Sequence, residues 1–350
     1  MKELKINETP VRTSRNFNIN NIKLKDINIP EKIEEFKNII TSYKTITSEV
    51  ERINLEYGIG NILIKQLEEN SNKKLKIVLD EKNNDEIKIE FKFDSKNRNL
   101  VDNIEIIAEE NSKATIIIKY ETEENIECYH NGLLRIIAKK KSEINIIIVN
   151  LMNTKSNNFF TIDNLIDDNS KVKYTVIDFG GKNSITNYYS NLIGKASDNI
   201  INTIYLGKEN QLFDLNYIAE LKGEKSNINI EVQGALKDSS KKKFKGTIDF
   251  KKGCKKATGN ENENCMLLSN KAKSLALPML LCSEEDVEGN HSSSAGKIGE
   301  KELFYIMSRG FELKEAMKLM VRAKFNKILN DIKNKKLVEQ ILNEIDRRLD

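Results

Sequence analysis

Histidine is scarce in this chain, with two residues among 350, His130 and His291. His291 lies in the polar run Glu284-Glu285-Asp286-Val287-Glu288-Gly289-Asn290-His291-Ser292-Ser293-Ser294. An imidazole in a loop of small polar residues, off any apolar face, is a candidate ligand for iron or a proton carrier near neutral pH. The competing reading is a loop histidine hydrogen-bonded to backbone. Thiolates also suit iron and sulfide, which makes Cys265 and Cys282, flanking this run, candidates; a buried cysteine is more commonly a small core residue. Cys128 and Cys254 stand apart. No CxxC pair or zinc spacing links the four, so neither a disulfide framework nor a structural zinc site is expected. His130, in Cys128-Tyr129-His130, reads as a histidine in a turn between strands, with too few ligands nearby for a metal. No Walker A sequence, GxGxxG after a strand, or Gly-x-Ser-x-Gly occurs, so the chain is not expected to hydrolyse nucleotide.

The elements that must position these residues change character along the chain. After about residue 73, short runs rich in Ile, Val and aromatics recur, among them Ile104–Ala108, Thr115–Tyr120, Leu133–Ala138, Ile144–Val149, Val172–Phe179 and Ile228–Val232. These are strand signals. A polar turn carrying serine precedes the strands at Ser112, Ser142, Ser170, Ser197 and Ser226, at spacings of 30, 28, 27 and 29 residues. The next step of 28 lands on Cys254. Each repeat holds two strands and two turns. Strand repeats at one fixed period, with no helix between them, predict a parallel β-solenoid whose serines 112, 142, 170, 197 and 226 stack along one edge. Asn-rich turns fit, because Asn tolerates left-handed backbone. An antiparallel sandwich is the alternative, and it does not explain the serine register.

Both ends read differently. Pro10 and Pro30 bracket an extended arm. Ile33, Phe36, Ile39 and Ile40 then predict a helix over 31–43. Leu303, Phe304, Ile306 and Met307 predict a helix from near Glu300 to Gly310, which occupies a C′ position. Two amphipathic helices follow, one carrying Leu313, Met317, Met320, Val321, Lys324 and Ile328, the other Leu337 to Leu349. They can cap the solenoid or present an apolar stripe to a partner, and the pattern leaves both open. The organisation expected is a helical N-terminal cap over 1–72, a solenoid over 73–298 and a helical domain over 299–350.

Composition excludes several classes. Lys plus Arg is 57 against 53 Asp plus Glu, a net charge of +4, which is no argument for a nucleic-acid groove. The opening MKELKINETP lacks a signal-peptide core, and the most apolar run, Ile144 to Met152, is too short to cross a bilayer. We therefore expect a soluble, cytoplasmic protein.

The stretch from Pro278 to Phe311 resembles the C-terminal signature of the SufB/SufD family of iron–sulfur cluster assembly scaffolds. The matching residues are Asp286, His291, Ser292-Ser293-Ser294, Gly296-Lys297-Ile298, Gly299-Glu300, Leu303-Phe304-Tyr305 and Ser308-Arg309-Gly310. Lys237-Asp238, Lys243-Phe244-Lys245-Gly246 and Leu267-Leu268-Ser269 resemble preceding blocks. The resemblance implies a right-handed parallel β-helix with small terminal helical domains. It implies that His291 matches the SufD histidine implicated in cluster assembly at the SufB–SufD interface. The essential SufB cysteine falls on Ala272, and a cysteine common in SufD falls on Gly289, so both thiol positions are vacant. That favours a SufD-like, non-catalytic scaffold pairing with SufB. The C-terminal region would dock the ATPase SufC through Phe304, Met307, Arg309, Met317, Met320 and Val321. A transient iron–sulfur cluster at the SufB interface and a reduced flavin in the complex are further implications, the cluster involving His291, Cys282 and Cys265. The alternatives are a homodimer working with SufC alone, a β-helix polysaccharide-cleaving enzyme, and a solenoid adaptor without metal chemistry. The lack of tryptophan and of an export signal speaks against the enzyme.

Overall fold

The computed structural model describes residues 3–13, 17–43, 47–81 and 86–350. From Lys73 to Lys297 the chain winds as a parallel solenoid of about eight turns. Successive strands alternate between an eight-stranded wall, from Lys73–Leu79 to Lys273–Cys282, and a nine-stranded wall that ends in Val287–Lys297. Between the strands of the two walls from Lys73 onward every pairing is parallel; the antiparallel partners are Ile39–Thr41 on Glu86–Phe93, the single bridge of Thr47 to Lys76, and the outlying pair Glu3–Ile6 with Ile22–Lys25. This excludes the sandwich.

The five serines do form one ladder. Each is buried, and the carbonyl of each of the first four accepts the N–H that opens the next coil: Ser112 from Glu143, Ser142 from Lys171, Ser170 from Asp198 and Ser197 from Asn227, all at 2.8 Å. The residue before each serine is left-handed, with φ of 60° at Asn111, 58° at Lys141, 53° at Asn169, 53° at Ala196 and 58° at Lys225. Asparagine fills only two of these positions, so the ladder tolerates the cost of about 1–2 kcal/mol that Lys and Ala meet in this region. Cys254 does not continue the ladder as the period predicts. Ala257 does, preceded by Lys256 at φ 59°, and Thr258 N–H donates to Ser226 O at 3.0 Å. The longer turn through Lys251–Lys256 shifts the register, and Cys254 takes the place held by Gly223 one coil earlier.

Strands such as Tyr129–Ala138 are buried on both faces, which explains the apolar run Leu133–Ala138, interrupted only by Arg135. Inward residues Ile104, Leu134, Ile162, Tyr188, Tyr217 and Phe244 face Ile116, Ile146, Tyr174, Ile201 and Ile230 in one core. Outside the eight-stranded wall, Leu4, Ile6, Ile22 and Leu24 cover Val101, Leu133, Phe159 and Ile185, joined by helix α1 (Asn61–Asn70) through Leu63 and Leu67. Outside the other wall lie α3 (Leu313–Leu329) and α4 (Lys335–Leu349), with α2 (Glu300–Ser308) set against α3. Val321, Phe325, Ile328, Leu337, Ile341 and Ile345 of α3 and α4 pack on Ile117, Ile147, Val149, Ile177, Phe179, Ile204 and Leu206. The helices therefore lie along the side of the solenoid and leave its last coil open. Gly310, at φ 96°, ends α2 in the left-handed region that favours glycine.

The helix predicted over 31–43 is absent. That segment is irregular until the strand Ile39–Thr41. Its apolar residues serve different surfaces: Phe36 inserts edge-on against Phe91 and Phe93, with ring centroids 6.0 and 5.1 Å away, closing the first coil, while Ile33 joins the cluster under α1. The helical spacing is satisfied without a helix.

Candidate functional site at the open end of the solenoid

The strand Ala257–Leu267 alternates strictly, with Ala257, Gly259, Glu261, Glu263 and Cys265 buried and the residues between them half-buried. Period-two alternation assigns one face to the interior, and here that face carries two carboxylates and a thiol. Val287–Lys297 lies over it in register, placing His291 beside Glu261, Ser293 beside Glu263 and Ala295 beside Cys265. His291 is thus on the last strand, not in the loop that the small-residue sequence suggests. It stands on the inward face, between Gly289, whose added Cβ would meet Phe250 at 3.0 Å, and Ser293, whose hydroxyl donates to Glu263 Oε2 at 2.8 Å. It is exposed because no coil follows.

Lys242 reaches across from the opposite wall. Its ammonium, fully buried, lies 2.6 Å from Glu263 Oε1 and 3.3 Å from Leu275 O. Tyr205 donates to the same carboxylate oxygen at 3.3 Å. Glu263 is therefore neutralised and hydrogen-bonded, as a buried charge must be. Glu261 is not. It is 2% exposed, and neither carboxyl oxygen has a hydrogen-bond partner. Burial, and then the Glu263 charge, push its carboxyl up to about 8. Its oxygens lie in a slot across the interior at Gly246, where an added Cβ would sit 2.0 Å from Oε2.

The cysteines divide. Cys265 is buried in this cluster, and desolvation raises its thiol pKa against the pull of Lys242. Burial pushes Cys128 and Cys254 up to about 11, which keeps both as thiols. Cys282 is exposed, its Sγ donating to Glu284 O at 2.9 Å. Ala272 follows Ser240 in the turn ladder that opens strands of the eight-stranded wall, away from His291's strand.

His130 belongs to a strand, not a turn, and is fully buried five coils before His291. Its Nε2 lies 2.7 Å from Asp102 Oδ1 and its Nδ1 2.6 Å from Asn158 Oδ1. Tyr120 donates to Asp102, Asn158 to Ser184, and Ser184 and Asn150 to Asp178, each within 3.1 Å. This is a satisfied interior network.

Of the helical residues, Phe304 is 74% exposed and Met307 40%, and Arg309 is also exposed, its guanidinium 5.3 Å from the Tyr305 ring. Met317 and Met320 are half-buried. Val321 is fully buried against the nine-stranded wall and belongs to the intramolecular contact, not to an exposed stripe. With Tyr305, Phe311 and Leu313 the exposed residues make an apolar surface on α2 and the turn after it. Sequence reading missed Lys242, Glu261 and Glu263. The signal was present in Asn260-Glu261-Asn262-Glu263-Asn264-Cys265, once Ala257 and Gly259 fix which parity points inward.

The open end thus combines an unpaired parallel edge, an exposed imidazole, an uncompensated carboxyl and a buried thiol. Residues 91–324 match the family model described as "SUF system FeS cluster assembly, SufBD core domain". The chain is 27% identical over 180 residues to the iron–sulfur cluster assembly protein SufD of Bacillus subtilis, covering 51% of this chain and 41% of that protein. It is 30% identical over 174 residues to an iron–sulfur cluster assembly SufBD family protein of Pyrococcus horikoshii, covering 49% and 38%. A SufBD family protein of Staphylococcus saprophyticus is 23% identical over 194 residues, covering 55% and 41%. The matched stretches span less than half the length of these relatives.

Proposed function

The chain belongs to the SufBD family of the SUF iron–sulfur cluster assembly system, and from that premise we propose that it is a SufD-like scaffold subunit without catalytic activity of its own. The observation that carries this reading is the open last coil. Val287–Lys297 pairs, among the described residues, only with Ala257–Leu267, and so presents a free edge with His291 on it. A free edge of this kind accepts a strand from another subunit, and main-chain hydrogen bonds then supply the affinity. The partner is a SufB-like solenoid, and the cluster, as transient cargo, is assembled where the two ends meet. The apolar surface around Phe304 and Met307 fits a second partner, a SufC-like ATPase whose movements rearrange the joined ends. Among the described residues no helix is long and apolar enough to cross a membrane.

Two variants test the two surfaces. His291→Ala should leave melting within about 0.5 kcal/mol of wild type and leave pull-down of both partners intact, while iron–sulfur protein maturation in cells collapses. Phe304→Asp should abolish ATPase pull-down with an unchanged circular dichroism spectrum, because a charge buried unpaired in an interface costs several kcal/mol. Full maturation by the His291 variant would reduce the chain to a tether. Recovery of the chain paired only with itself would point to a homodimer.

A further inference from the structure

We propose that the outer face of the eight-stranded wall, toward the open end, is a binding groove for an extended polypeptide segment, covered here by the tip of the N-terminal hairpin as a flap. The hairpin base, Glu3–Ile6 with Ile22–Lys25, sits on an apolar cluster. The tip sits on a polar surface. Residues 7–13 and 17–21 meet Asn187 of the strand Asn183–Leu192, Asp214 and Asn216 of Leu212–Leu221, and Lys243 and Lys245 of Lys241–Phe250. These side chains hold the flap largely by its main chain. Lys245 donates to Asn7 O at 2.7 Å, Asn216 to Glu8 O at 2.9 Å and Lys243 to Asn18 O at 2.7 Å. Asn7 adds its side-chain amide, which bridges Asn187 and Asp214.

The flap answers the donors of this surface and leaves its acceptors unanswered. Thr161 Oγ1, Asn187 Oδ1 and Asn216 Oδ1, buried in one in-register row over three coils, have no hydrogen-bond partner among the described residues, and neither has Asp214 Oδ2. Buried acceptors ordinarily have one. The flap's own N–H groups are spent elsewhere: Asn7 on Ile59 O, Thr9 on Asn20 O and Thr13 on Asn20 Oδ1. An extended polypeptide offers carbonyls and N–H groups along one line, and so satisfies both sets. Lifting the flap hydrates amide and charged groups, while the base stays seated on its apolar cluster. Val11 and Phe17 stand exposed on the flap, and Thr13 reaches Met279 on the edge strand Lys273–Cys282. The flap thus extends to where a second subunit arrives, and an extended segment of that subunit is the occupant. The inference rests on the scaffold reading only in naming this source.

The test compares the full chain with a shortened-flap variant in which Asn-Gly replaces residues 7–21. Ile6 and Ile22 are direct partners in the hairpin, so a two-residue type I′ turn closes it and keeps its base. The probe is a fluorescein-labelled synthetic peptide of residues 7–21. It should bind the shortened chain one to one, and the full chain at least about tenfold more weakly, because the flap competes in cis. A scrambled peptide of the same composition should bind within about threefold, since the main chain is what the groove reads. N-methylation of alternate peptide amides should weaken binding by about tenfold or more, as should Asn216→Leu in the shortened chain, because each leaves buried polar groups unpaired. Should the shortened chain lose the wild-type circular dichroism, hydrogen exchange of the full chain decides. The Thr9 and Thr13 amides should then exchange by local opening, faster than those of Glu3–Ile6. Exchange of these amides only with global unfolding, a folded shortened chain that ignores the peptide, a scrambled peptide that fails to bind, or an N-methylated peptide that binds as well as its parent would each overturn the proposal. Peptide binding together with failed pull-down of a second scaffold subunit rejects the scaffold reading alone; the reverse outcome rejects the groove and leaves that reading standing.

Discussion

Both histidines occupy inward-facing positions of the same solenoid, and their surroundings are opposite. Around His130 every described polar neighbour is answered: Asp102, Asn158, Ser184, Asp178 and Asn150 hydrogen-bond one another inside a closed coil. Around His291 the interior opens. Lys242 and Glu263 are paired, Glu261 is not, and the imidazole faces solvent. A polar group in the middle of a one-dimensional stack has coils on both sides and must be satisfied by them. At the last coil one side is missing, so an unsatisfied group there waits for something outside the chain. The difference separates polarity that specifies a fold from polarity that is available for chemistry.

The contrast is most easily broken through stability. His130→Ala removes a buried ring and strips Asp102 and Asn158 of a partner, and we expect a loss of about 3–5 kcal/mol by denaturant titration. A loss under about 1 kcal/mol would mean the closed network does not hold the core. Lys242→Met leaves Glu263 buried and unpaired, a cost of about 3–4 kcal/mol. The double variant Lys242→Met/Glu263→Leu should recover most of that loss; if it does not, the pair itself stabilises the mouth.

The pH dependence sharpens the comparison. Asp178, in the closed network, is pushed up by burial to about 6 from an ordinary 3.8, and Glu261 to about 8 from 4.5. Each native carboxyl binds its proton more tightly than the unfolded one. Stability contributed by each is therefore present below its ordinary value and lost as pH rises toward the native value. The slope reaches about 1.4 kcal/mol per pH unit per group. In chelator, wild-type stability should fall from pH 4 to 8, and Glu261→Gln should flatten the pH 6–8 portion while leaving only the Asp178 share of the slope between pH 4 and 6. A Glu261→Gln curve parallel to wild type above pH 6 would show that the carboxyl finds a partner. The smallest effect belongs to His291→Ala, within about 0.5 kcal/mol of wild type at any of these pH values in chelator.

How far the sequence led can be traced through particular residues. The serine period revealed a solenoid because each turn repeats one backbone problem, a left-handed residue followed by a buried serine. It failed at Cys254, where a longer turn absorbed the shift and Ala257 took the serine's place. The helix expected from Ile33 to Ile40 failed because spacing alone cannot say that Phe36 closes a coil while Ile33 faces elsewhere. His291 was visible as unusual, but its small polar neighbours suggested a loop. They form a strand because Asn260, Asn262 and Asn264 hydrogen-bond to Asn290, Ser292 and Ser294 along the outer face. Val321 carried an apolar signal that did not reveal whether its face met a partner or the chain's own wall.

The placement of α3 and α4 has a mechanical consequence. Their apolar face bridges five consecutive strands of the nine-stranded wall, from Ile117 to Ala235, and its contact beyond these is limited to partly buried Met266 and Leu268. They act as a splint along the middle coils. In a stack stabilised by nearest neighbours, fraying begins at the end that lacks bracing. The Val287–Lys297 strand lies beyond the splint, so its amides should exchange with solvent first while those of Glu143–Leu151 exchange last. Compliance is thereby concentrated in the single coil that carries His291, and a load applied through α2 meets a stiff rod with one hinged rung.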